Sequence, residues 1–355
     1  MPGKLALYLH RLFRANETRL HELSYLFWEC TRRCNLSCLH CGSDCAAGSA
    51  GSDMPFDDFL HAILPLKNAC DPSAITVVIT GGEPLLRSDL PHCGKALREH
   101  GFRWSIVTNG YAYTPDAHAR LLAAGLGAVT LSLDGFEDAH SWLRASRRSF
   151  GNALKALELI TSSRRLCYDV VTCVNRKNIH DLPTFKEFLI SKNVAAWRLF
   201  TIAPIGRAKG NPDLQLTPQE LAQLMDFIAH ARTDKRIAAT FSCEAYVGKY
   251  EKKVRDACFF CRAGVNIASV LSDGSISACP NINRHFVQGN IYRDALLDVW
   301  SNRFGLMRNR SWTRTGVCLS CKEYKSCGGG AMHLWSEAQD SIMTCIHQKM
   351  MAEQR

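Results

Sequence analysis

The sequence predicts an α/β fold built around a parallel sheet, followed by a smaller cysteine-rich region. Between about residues 23 and 205, short apolar runs rich in β-branched and aromatic residues alternate with longer helical segments. Such alternation is typical of parallel sheets with right-handed crossovers. From about residue 235 the alternation fades, and Cys, Gly and Asn become more frequent. Periodicity alone leaves open whether the sheet stays open or curls into a partial barrel.

Six strands and five helices are predicted within the alternating region. The predicted strands span residues 23–28, 74–79, 102–107, 127–133, 168–174 and 195–202. The predicted helices span residues 56–68, 90–100, 115–125, 152–162 and 182–192. An amphipathic helix over residues 3–20 precedes them, and we expect it to pack on the domain as a lid or an edge. Residues 216–232 form a further predicted helix, with Thr217 as its N-cap and Glu220 in the capping-box position.

The composition is that of a globular protein with a basic surface. Of 355 residues, 46% are hydrophobic and 21% are charged, and the formal net charge is +10. Such a surface favours an acidic peptide or electron donor as partner; a nucleic-acid partner is not predicted, because no binding motif accompanies the dispersed Lys and Arg residues. No apolar stretch approaches the ~20 residues of a membrane span. His10, Arg11 and Arg14 interrupt the first apolar residues, which argues against a secretory signal.

The chain contains 17 Cys, and their use depends on the compartment. A cytoplasmic location is expected, where disulfides are rare and clustered cysteines more often bind metals or take part in catalysis. Four cysteines fall singly on predicted helices or strands, and we expect them to be small buried hydrophobic residues. They are Cys70, Cys93, Cys167 and Cys173.

The first cysteine cluster places Cys34, Cys38 and Cys41 within eight residues, directly after a predicted strand. Soft thiolates suit iron–sulfur clusters or zinc. A structural zinc site needs four ligands, and Cys30 or Cys45 could in principle supply the fourth. Three ligands on a four-iron cluster would instead leave one iron open to a substrate or cofactor. Zinc, a ferredoxin-like cluster and an open four-iron cluster all remain compatible with these residues alone.

Polar or glycine residues follow several predicted strands at their carboxyl ends. In parallel α/β folds these ends meet at one edge of the sheet, where binding sites lie. Glycines let the backbone approach a ligand closely, and a carboxylate pairs with an ammonium group. The strand-end residues are Gly81, Gly82, Glu83, Pro84, Asn109, Ser132, Asp134 and Asn175.

Together, these motifs resemble the radical S-adenosylmethionine (SAM) superfamily. The resemblance implies a partial (β/α)6 barrel and a four-iron cluster on Cys34, Cys38 and Cys41, whose open iron chelates SAM. One electron from the cluster would cleave SAM to a 5′-deoxyadenosyl radical. His40 stands where many relatives carry an aromatic residue, and we expect it to stack or pack there. The implied SAM contacts are Gly81, Gly82, Glu83 and Pro84 for the amino group, Asn109, Ser132, Asp134 and Asn175 for the ribose and adenine, and Arg144 for the carboxylate.

The later cysteines resemble the SPASM extension of radical SAM enzymes, which usually carries two auxiliary four-iron clusters. The resemblance assigns Cys318, Cys321, Cys327 and Cys345 to the distal cluster and Cys258, Cys261 and Cys279 to the proximal one. Ala331 stands where the pattern requires the fourth proximal Cys. The fourth iron could be open, which we favour, or be filled by Cys243, His333 or a carboxylate; the cluster could also be smaller. A zinc ribbon is the alternative for this region.

Four segments are expected in the chain. The Gly- and Pro-bearing residues 204–211 end the alternating region, and the 22 residues before the first predicted strand are too few for a leader-peptide-binding domain. The segments are an N-terminal helix over 1–22, a radical SAM core over 23–210, a linking helical region over 211–257 and a SPASM-like auxiliary cluster domain over 258–355.

The resemblance implies an enzyme that modifies a peptide or protein by hydrogen abstraction, since SPASM-bearing relatives mostly do so. The expected substrate is a peptide or protein, with a small Cys-bearing lipoprotein or ribosomal peptide as a candidate. The expected electron donor is a flavodoxin or ferredoxin, and the enzyme is expected to work anaerobically. The alternatives are an anaerobic sulfatase-maturing enzyme, which Ala331 argues against, and a non-catalytic iron–sulfur or zinc protein. An RNA-modifying enzyme would need a nucleic-acid-binding module, which the sequence does not show.

Overall fold

The computed structural model describes residues 4–45, 53–242, 244–336 and 341–352, and a single mixed sheet forms its centre. Strands β1 to β8 pair in parallel, and β9 and β10 are antiparallel additions. The strand order across the sheet is β10-β9-β8-β1-β2-β3-β4-β5-β6-β7. The strands are β1 Tyr25–Glu29, β2 Thr76–Thr80, β3 Arg103–Thr108, β4 Ala128–Ser132, β5 Cys167–Cys173, β6 Ala196–Phe200, β7 Ala238–Phe241, β8 Ile267–Val270, β9 Ser275–Ser277 and β10 Gly289–Asn290.

Helices connect and cover the strands, so the predicted α/β fold class is confirmed. None of the helices within the described ranges has the length and apolar character that a membrane crossing needs. The helices are α1 Lys4–Leu20, α2 Phe56–Ile63, α3 Leu90–Glu99, α4 Pro115–Ala123, α5 Glu137–Leu143, α6 Ser149–Ser162, α7 Leu182–Ser191, α8 Pro218–Ala231, α9 Leu296–Asn302, α10 Gly305–Arg308, α11 Tyr324–Cys327 and α12 Ile346–Ala352.

Local signals explain most of the helix boundaries. The predicted capping box of α8 is present: the Thr217 hydroxyl accepts from the Glu220 backbone N–H at 3.2 Å, and the Glu220 carboxylate accepts from the Thr217 N–H at 2.8 Å. The predicted helix over residues 56–68 is divided in two. Helix α2 ends at Ile63, and a 3-10 helix over Leu64–Asn68, with a proline near its start, follows it directly. The sequence analysis missed α5, which has seven residues and is too short to show a clear helical period.

The cysteine-rich half of the chain extends the same sheet, which the fading periodicity did not predict. Strand β8 pairs in parallel with β1 on the side opposite β2, so Tyr25 lies between Ile267 and Thr76. Strand β7 adds a further parallel strand beside β6. These late strands have two to four residues, too few for a periodic pattern. As a consequence, β1 has a neighbouring strand on each side, and its carboxyl end lies near the middle of one edge of the sheet.

The N-terminal helix α1 packs on the segment that carries the first late cysteines. The ring nitrogen Nε2 of His10 lies 3.1 Å from the carbonyl of Phe259, and Arg262 donates to Glu17 at 3.0 Å. The guanidinium of Arg262 also lies over the ring of Phe13, 5.7 Å from its centroid. One face of α1 is therefore fixed by polar and cation–π contacts rather than by a deep apolar core.

Two of the four isolated cysteines are not buried, so that prediction was wrong for them. Cys93 is buried in α3 and Cys173 is half-buried at the end of β5, but Cys70 and Cys167 are exposed. Cys70 follows the short 3-10 helix after α2, where its thiol donates to the Leu66 carbonyl. Cys167 begins β5 at the amino edge of the sheet, where a strand is less covered by helices than at its middle.

Candidate active site

The loop after β1 brings the three early cysteines together at the carboxyl edge of the sheet. Cys34, Cys38 and Cys41 pack with Leu36 and Cys45 in a small buried cluster that is separate from the main core. Cys30, the other candidate for a fourth ligand, lies instead in the main core and is fully covered. Cys45 is therefore the additional cysteine that lies beside the three-thiol loop.

The electrostatics of the loop favour Cys41 as the most readily ionised of these thiols. Burial raises the pKa of Cys34 to about 11 and also raises the pKa of Cys38. The pKa of Cys41 is lowered to about 6, because the Cys45 side chain hydrogen-bonds to it and Arg207 lies nearby. Cys38 and Cys41 both interact electrostatically with Cys34. Three soft donors in mutual reach fit a four-iron cluster held at three corners.

The Gly81–Gly82 pair lies against the backbone of the cysteine loop. The Gly82 N–H donates to the Thr31 carbonyl at 2.8 Å, and the Glu83 N–H donates to the Arg33 carbonyl at 2.9 Å. A Cβ atom at Gly82 would lie 2.1 Å from the Arg33 carbonyl oxygen, and one at Gly81 would lie 2.3 Å from that of Thr31. The close approach that the sequence analysis assigned to a ligand is thus made, in the first place, to protein backbone.

Glu83 and Pro84 join the end of β2 to the end of β3. The buried Glu83 carboxylate accepts from the Thr108 hydroxyl at 2.7 Å, from the Asn109 N–H at 2.9 Å and from the Leu85 N–H at 3.2 Å. Burial raises its pKa in spite of these hydrogen bonds. Pro84 is buried at the start of a short 3-10 turn. The contacts described for Glu83 are structural, and its role toward SAM stays a prediction.

Asn109 connects the end of β3 to the cysteine loop. Its Nδ2 donates to Asn35 Oδ1 at 2.8 Å and lies 3.9 Å from the sulfur of Cys34. Its Oδ1 accepts from the Tyr111 N–H at 2.8 Å, which fixes the orientation of the amide. Asn109 is buried, so it contacts the cysteine loop from the protein interior.

A buried ion pair joins the ends of β4 and α5 to the same loop. Arg144 Nε donates to Asp134 Oδ2 at 2.6 Å, and Arg144 Nη1 lies 3.8 Å from the sulfur of Cys38. Asp134 Oδ1 accepts from the Cys173 N–H at 2.9 Å. Burial alone would raise the pKa of Asp134, but the charge of Arg144 holds it below its usual value. Arg144 thus faces one of the cluster cysteines and not only a cofactor carboxylate.

Replacing Asp134 by Asn should lower the free energy of unfolding by about 3 kcal/mol, because it leaves the Arg144 charge buried without its partner. Urea unfolding of the protein under nitrogen would measure this loss. Glu99→Gln, which breaks the exposed Lys95–Glu99 pair, is the control, and it should change the free energy of unfolding by less than about 1 kcal/mol. Equal effects of the two substitutions would contradict the role given to the buried pair.

Asn175 and Ser132 lie at the same edge with different surroundings. Asn175 is fully buried and closes the turn after β5: its amide donates to the Cys173 carbonyl at 3.2 Å and accepts from the Lys177 N–H at 2.9 Å. Ser132 ends β4 with a half-buried side chain. Asn178, which the sequence analysis missed, donates to the Asp134 carbonyl at 2.9 Å.

Gly206 and Arg207 hold the cysteine loop from its other side, and the sequence analysis missed both. Arg207 Nε donates to the Cys38 carbonyl at 2.7 Å, and its backbone N–H donates to the Cys41 carbonyl at 3.0 Å. A Cβ atom at Gly206 would lie 2.3 Å from the Cys41 carbonyl oxygen, and the φ of Gly206 is +54°. Their position could have identified them as site residues, because they follow β6 in the chain as the other site residues follow their own strands.

His40, in the cysteine loop, lies near the charged side chains of Arg144, Asp134 and Arg207. Burial and, to a smaller extent, the charge of Arg144 lower its pKa to about 4, so the imidazole is neutral near pH 7. Its Nδ1 is buried, and no hydrogen-bond partner for it exists among the described residues. Such an orphaned polar atom beside three thiols fits a site that a polar cofactor would complete.

A cavity of about 730 Å³ lies beside the cysteine loop. One wall is formed by Gly42 and Ser43, which directly follow Cys41, and another by Asn281, two residues after Cys279. His333 lines it as well, and burial lowers the pKa of this imidazole to about 4. This volume is that of a substrate-binding pocket, and its lining includes chain neighbours of one early and one late cysteine.

Four of the late cysteines surround one small cavity. Cys318, Cys321, Cys327 and Cys345 all line it. Burial raises the pKa of Cys318 to about 11 and of Cys327 to about 12, and Cys345 contributes to both shifts. Backbone N–H groups lie within hydrogen-bonding distance of two sulfurs, Gly330 to Cys327 at 3.1 Å and Gln348 to Cys345 at 3.4 Å. Four thiols around one space, with N–H donors aimed at them, fit a fully ligated cluster.

The three other late cysteines form a less complete set. Cys258 is buried, whereas Cys261 and Cys279 are half-buried. Ala331 is buried, and Cys243 lies outside the described residues. Within the described ranges no three His, Cys, Asp or Glu side chains are placed to bind a single metal ion. A four-iron cluster holds its thiolates farther apart than one ion does, so this finding concerns mononuclear sites.

Comparison with known proteins identifies the class to which this fold and site belong. The radical SAM superfamily model matches residues 28–189, and the SPASM model, an iron–sulfur cluster-binding domain, matches residues 261–322. The chain is therefore a radical SAM enzyme. It belongs to the SPASM-bearing members of that superfamily, which confirms both resemblances on which the sequence analysis depended.

Similar proteins share most of the chain's length. The mycofactocin maturase MftC of Mycolicibacterium smegmatis is 29% identical over 91% of this chain and 81% of its own. The AdoMet-dependent heme synthase of Methanosarcina barkeri is 22% identical over 89% and 93%. Among solved structures, native anSMEcpe with bound AdoMet superimposes with a TM-score of 0.72 and 19% identity, covering 93% of this chain and 95% of the other. Streptococcus suis SuiB bound to the precursor peptide SuiA gives 0.67 and 18%, covering 90% and 75%.

Proposed function

We propose that this enzyme cleaves SAM reductively and modifies a peptide or protein substrate by abstracting a hydrogen atom from it. The observation that carries the proposal is the cavity of about 730 Å³, which is bounded by residues next to Cys41 on one side and next to Cys279 on the other. A substrate there would contact the residues that directly follow Cys41 and Cys279, and so would lie near both cysteine segments. The similarity to the maturase MftC and to SuiB, which was solved with its precursor peptide, supports a peptide substrate.

In this proposal the residues at the sheet edge have three roles, and Gly82 has two of them. Cys34, Cys38 and Cys41 hold the four-iron cluster, which supplies the single electron for SAM cleavage when bound. Arg207 and Gly82 hold the loop in place through hydrogen bonds to its backbone carbonyls. The proposed SAM-binding set is Gly81, Gly82, Glu83, Pro84, Asn109, Ser132, Asp134, Arg144 and Asn175.

Two auxiliary clusters complete the proposal. Cys318, Cys321, Cys327 and Cys345 hold the distal one, supported by the cavity that they share. Cys258, Cys261 and Cys279 hold the proximal one, whose fourth iron is open because Ala331 cannot ligate it. That iron would bind a thiol or amide of the substrate.

The charges of the residues that line the cavity indicate which kind of peptide it would bind. Arg32, Lys209 and Arg284 line it, and the carboxylate of Glu29 lines it as well, 4.0 Å from Arg284. This excess of positive charge favours a substrate with acidic residues or a free carboxylate. We propose a ribosomal peptide or a small Cys-bearing lipoprotein as substrate, a flavodoxin or ferredoxin as electron donor, and an anaerobic, cytoplasmic setting.

The experiment uses anaerobically reconstituted enzyme with SAM, dithionite and candidate peptides encoded beside its gene. We expect release of 5′-deoxyadenosine together with a mass change in one peptide. Turnover of a sulfatase-derived Cys or Ser peptide would favour sulfatase maturation, and formation of heme from a porphyrin precursor would favour the chemistry that the heme synthase relative is named for. Absence of 5′-deoxyadenosine from enzyme that carries its full iron would contradict the proposal.

Ala331→Cys tests the open iron within the same assay. The added thiol completes the ligand pattern, so we expect peptide modification to fall about tenfold or more, a barrier change of at least about 1.4 kcal/mol. SAM cleavage without peptide should be unchanged, because the first cluster is not altered. The control is Ala278→Cys, a buried Ala beside Cys279, which leaves position 331 unchanged. Unchanged peptide modification in Ala331→Cys would contradict the open site.

A further inference from the structure

Two arginines lie within electrostatic reach of Cys327, and neither has a carboxylate partner in the described part of the chain. The first is Arg14, which extends from α1 to the residues on either side of Cys327. Its Nη1 donates to the Ser326 carbonyl at 2.8 Å, directly beside Cys327. Its Nη2 lies so close to Gly328 that a Cβ atom there would be 2.4 Å away. The guanidinium is therefore held against the turn that follows Cys327.

The second is Arg310, whose backbone is fixed to the wall of the same cavity. Its carbonyl accepts from the Tyr324 hydroxyl at 2.9 Å and from the Thr313 hydroxyl at 2.7 Å. Tyr324 itself lines the four-thiol cavity. The side-chain atoms Nε and Nη2 of Arg310 are buried, and neither has a hydrogen-bond partner among the described residues. Two unsatisfied guanidinium donors within electrostatic reach of Cys318 and Cys327 call for an acceptor.

The charges of the two arginines also indicate that the missing acceptor is an anion. Arg310 interacts electrostatically with Cys318 and Cys327, and after burial it is the largest contribution that lowers the pKa of Arg14. Two cations at close range in a partly buried place are unfavourable without an anion between them. A four-iron cluster with four thiolates carries roughly two negative charges in its oxidised state, so two arginines would balance it.

We propose that Arg14 and Arg310 donate hydrogen bonds to the distal auxiliary cluster and compensate its charge, so that they raise its reduction potential. The inference rests on the proposed function only in placing a four-iron cluster on Cys318, Cys321, Cys327 and Cys345. Both residues act through the cluster and are positioning residues. A higher potential would suit a cluster that accepts an electron from the modified substrate.

The experiment measures the potential of the auxiliary clusters without the SAM cluster. The full-length chain with Cys34, Cys38 and Cys41 replaced by Ala is reconstituted anaerobically and titrated potentiometrically with electron spin detection. In this background Arg310→Met and Arg14→Met should each shift one cluster to a more negative potential, and the double variant should shift it further. Arg310→Lys, which keeps the charge but loses the planar donors, should give a smaller shift.

Arg314→Met is the matched control, because Arg314 lies in the same segment, is exposed and stacks on the Tyr324 ring. Unchanged potentials in Arg310→Met and Arg14→Met, or an equal shift in Arg314→Met, would overturn the inference. If Arg310→Met fails to assemble the cluster, Arg310→Lys decides: an intermediate shift supports the inference and no shift overturns it. A zinc-filled site without a spin signal would overturn it even where the wild-type enzyme cleaves SAM, so the two proposals fail separately.

Discussion

Replacing Cys34, Cys38 and Cys41 by Ala should abolish SAM cleavage while leaving the late cysteine sites able to assemble their clusters. We expect the rate of 5′-deoxyadenosine release to fall at least about a thousandfold, which corresponds to about 4 kcal/mol of activation free energy. The reason is structural: the three thiols form their own buried cluster, apart from the main core, which includes Cys318 and has Cys261, Cys279 and Cys327 packed against it. Iron should fall by about four atoms per chain rather than to zero.

Cys93→Ala is the control for this loss. Cys93 is fully buried in α3, so its substitution perturbs packing as a core change does, but the residue has no place in the three-thiol loop. It should keep its iron and its SAM cleavage. Retained SAM cleavage in the triple variant, or loss of all iron together with the first cluster, would contradict the assignment.

The sheet could be predicted where its strands are long and covered on both faces. Strands β1 to β6 have five to seven residues and read as apolar runs between helical segments. Strands β8 to β10 could not be predicted, because two to four residues carry no period and the strand through which they join the sheet, β8, pairs with the distant β1, Ile267 beside Tyr25. The consequence for function is large, since that pairing brings the residues after Cys279 to the edge where the first cysteine loop lies.

The residues of the site differ in the same way: some could be predicted from the local sequence, and others depend on contacts between distant parts of the chain. The three early cysteines could be predicted because a loop of eight residues places them together by its own length. Arg207 could not, because its hydrogen bond to the Cys38 carbonyl joins residues 169 positions apart. Glycine at positions 81 and 82 could be predicted to allow a close approach, but the sequence does not say to which group. The backbone of residues 31–33 is that group in the structure.

Gly82→Ala should lower the free energy of unfolding by about 2 kcal/mol and prevent the first cluster from assembling. The new Cβ would lie 2.1 Å from the carbonyl oxygen of Arg33, and backbone cannot yield as a flexible side chain can. The segment that leads to Cys34 would have to move away from β2, and the hydrogen bond from the Glu83 N–H to Arg33 would be lost with it. Urea unfolding and iron analysis of the anaerobic protein measure the two effects.

The same substitution decides between two roles of the glycine pair. If the glycines served mainly to admit SAM, Gly82→Ala would assemble its cluster fully and only bind SAM more weakly. If they serve to seat the cysteine loop, iron falls by about four atoms before SAM is added. Gly151→Ala is the matched control: it lies in α6 with nothing within 4 Å of the new methyl group, so it should stabilise the protein by about 0.5–1 kcal/mol and keep all iron. Because the contact joins two backbone segments of the protein itself, we expect the loop to fail first, with loss of SAM binding as its consequence.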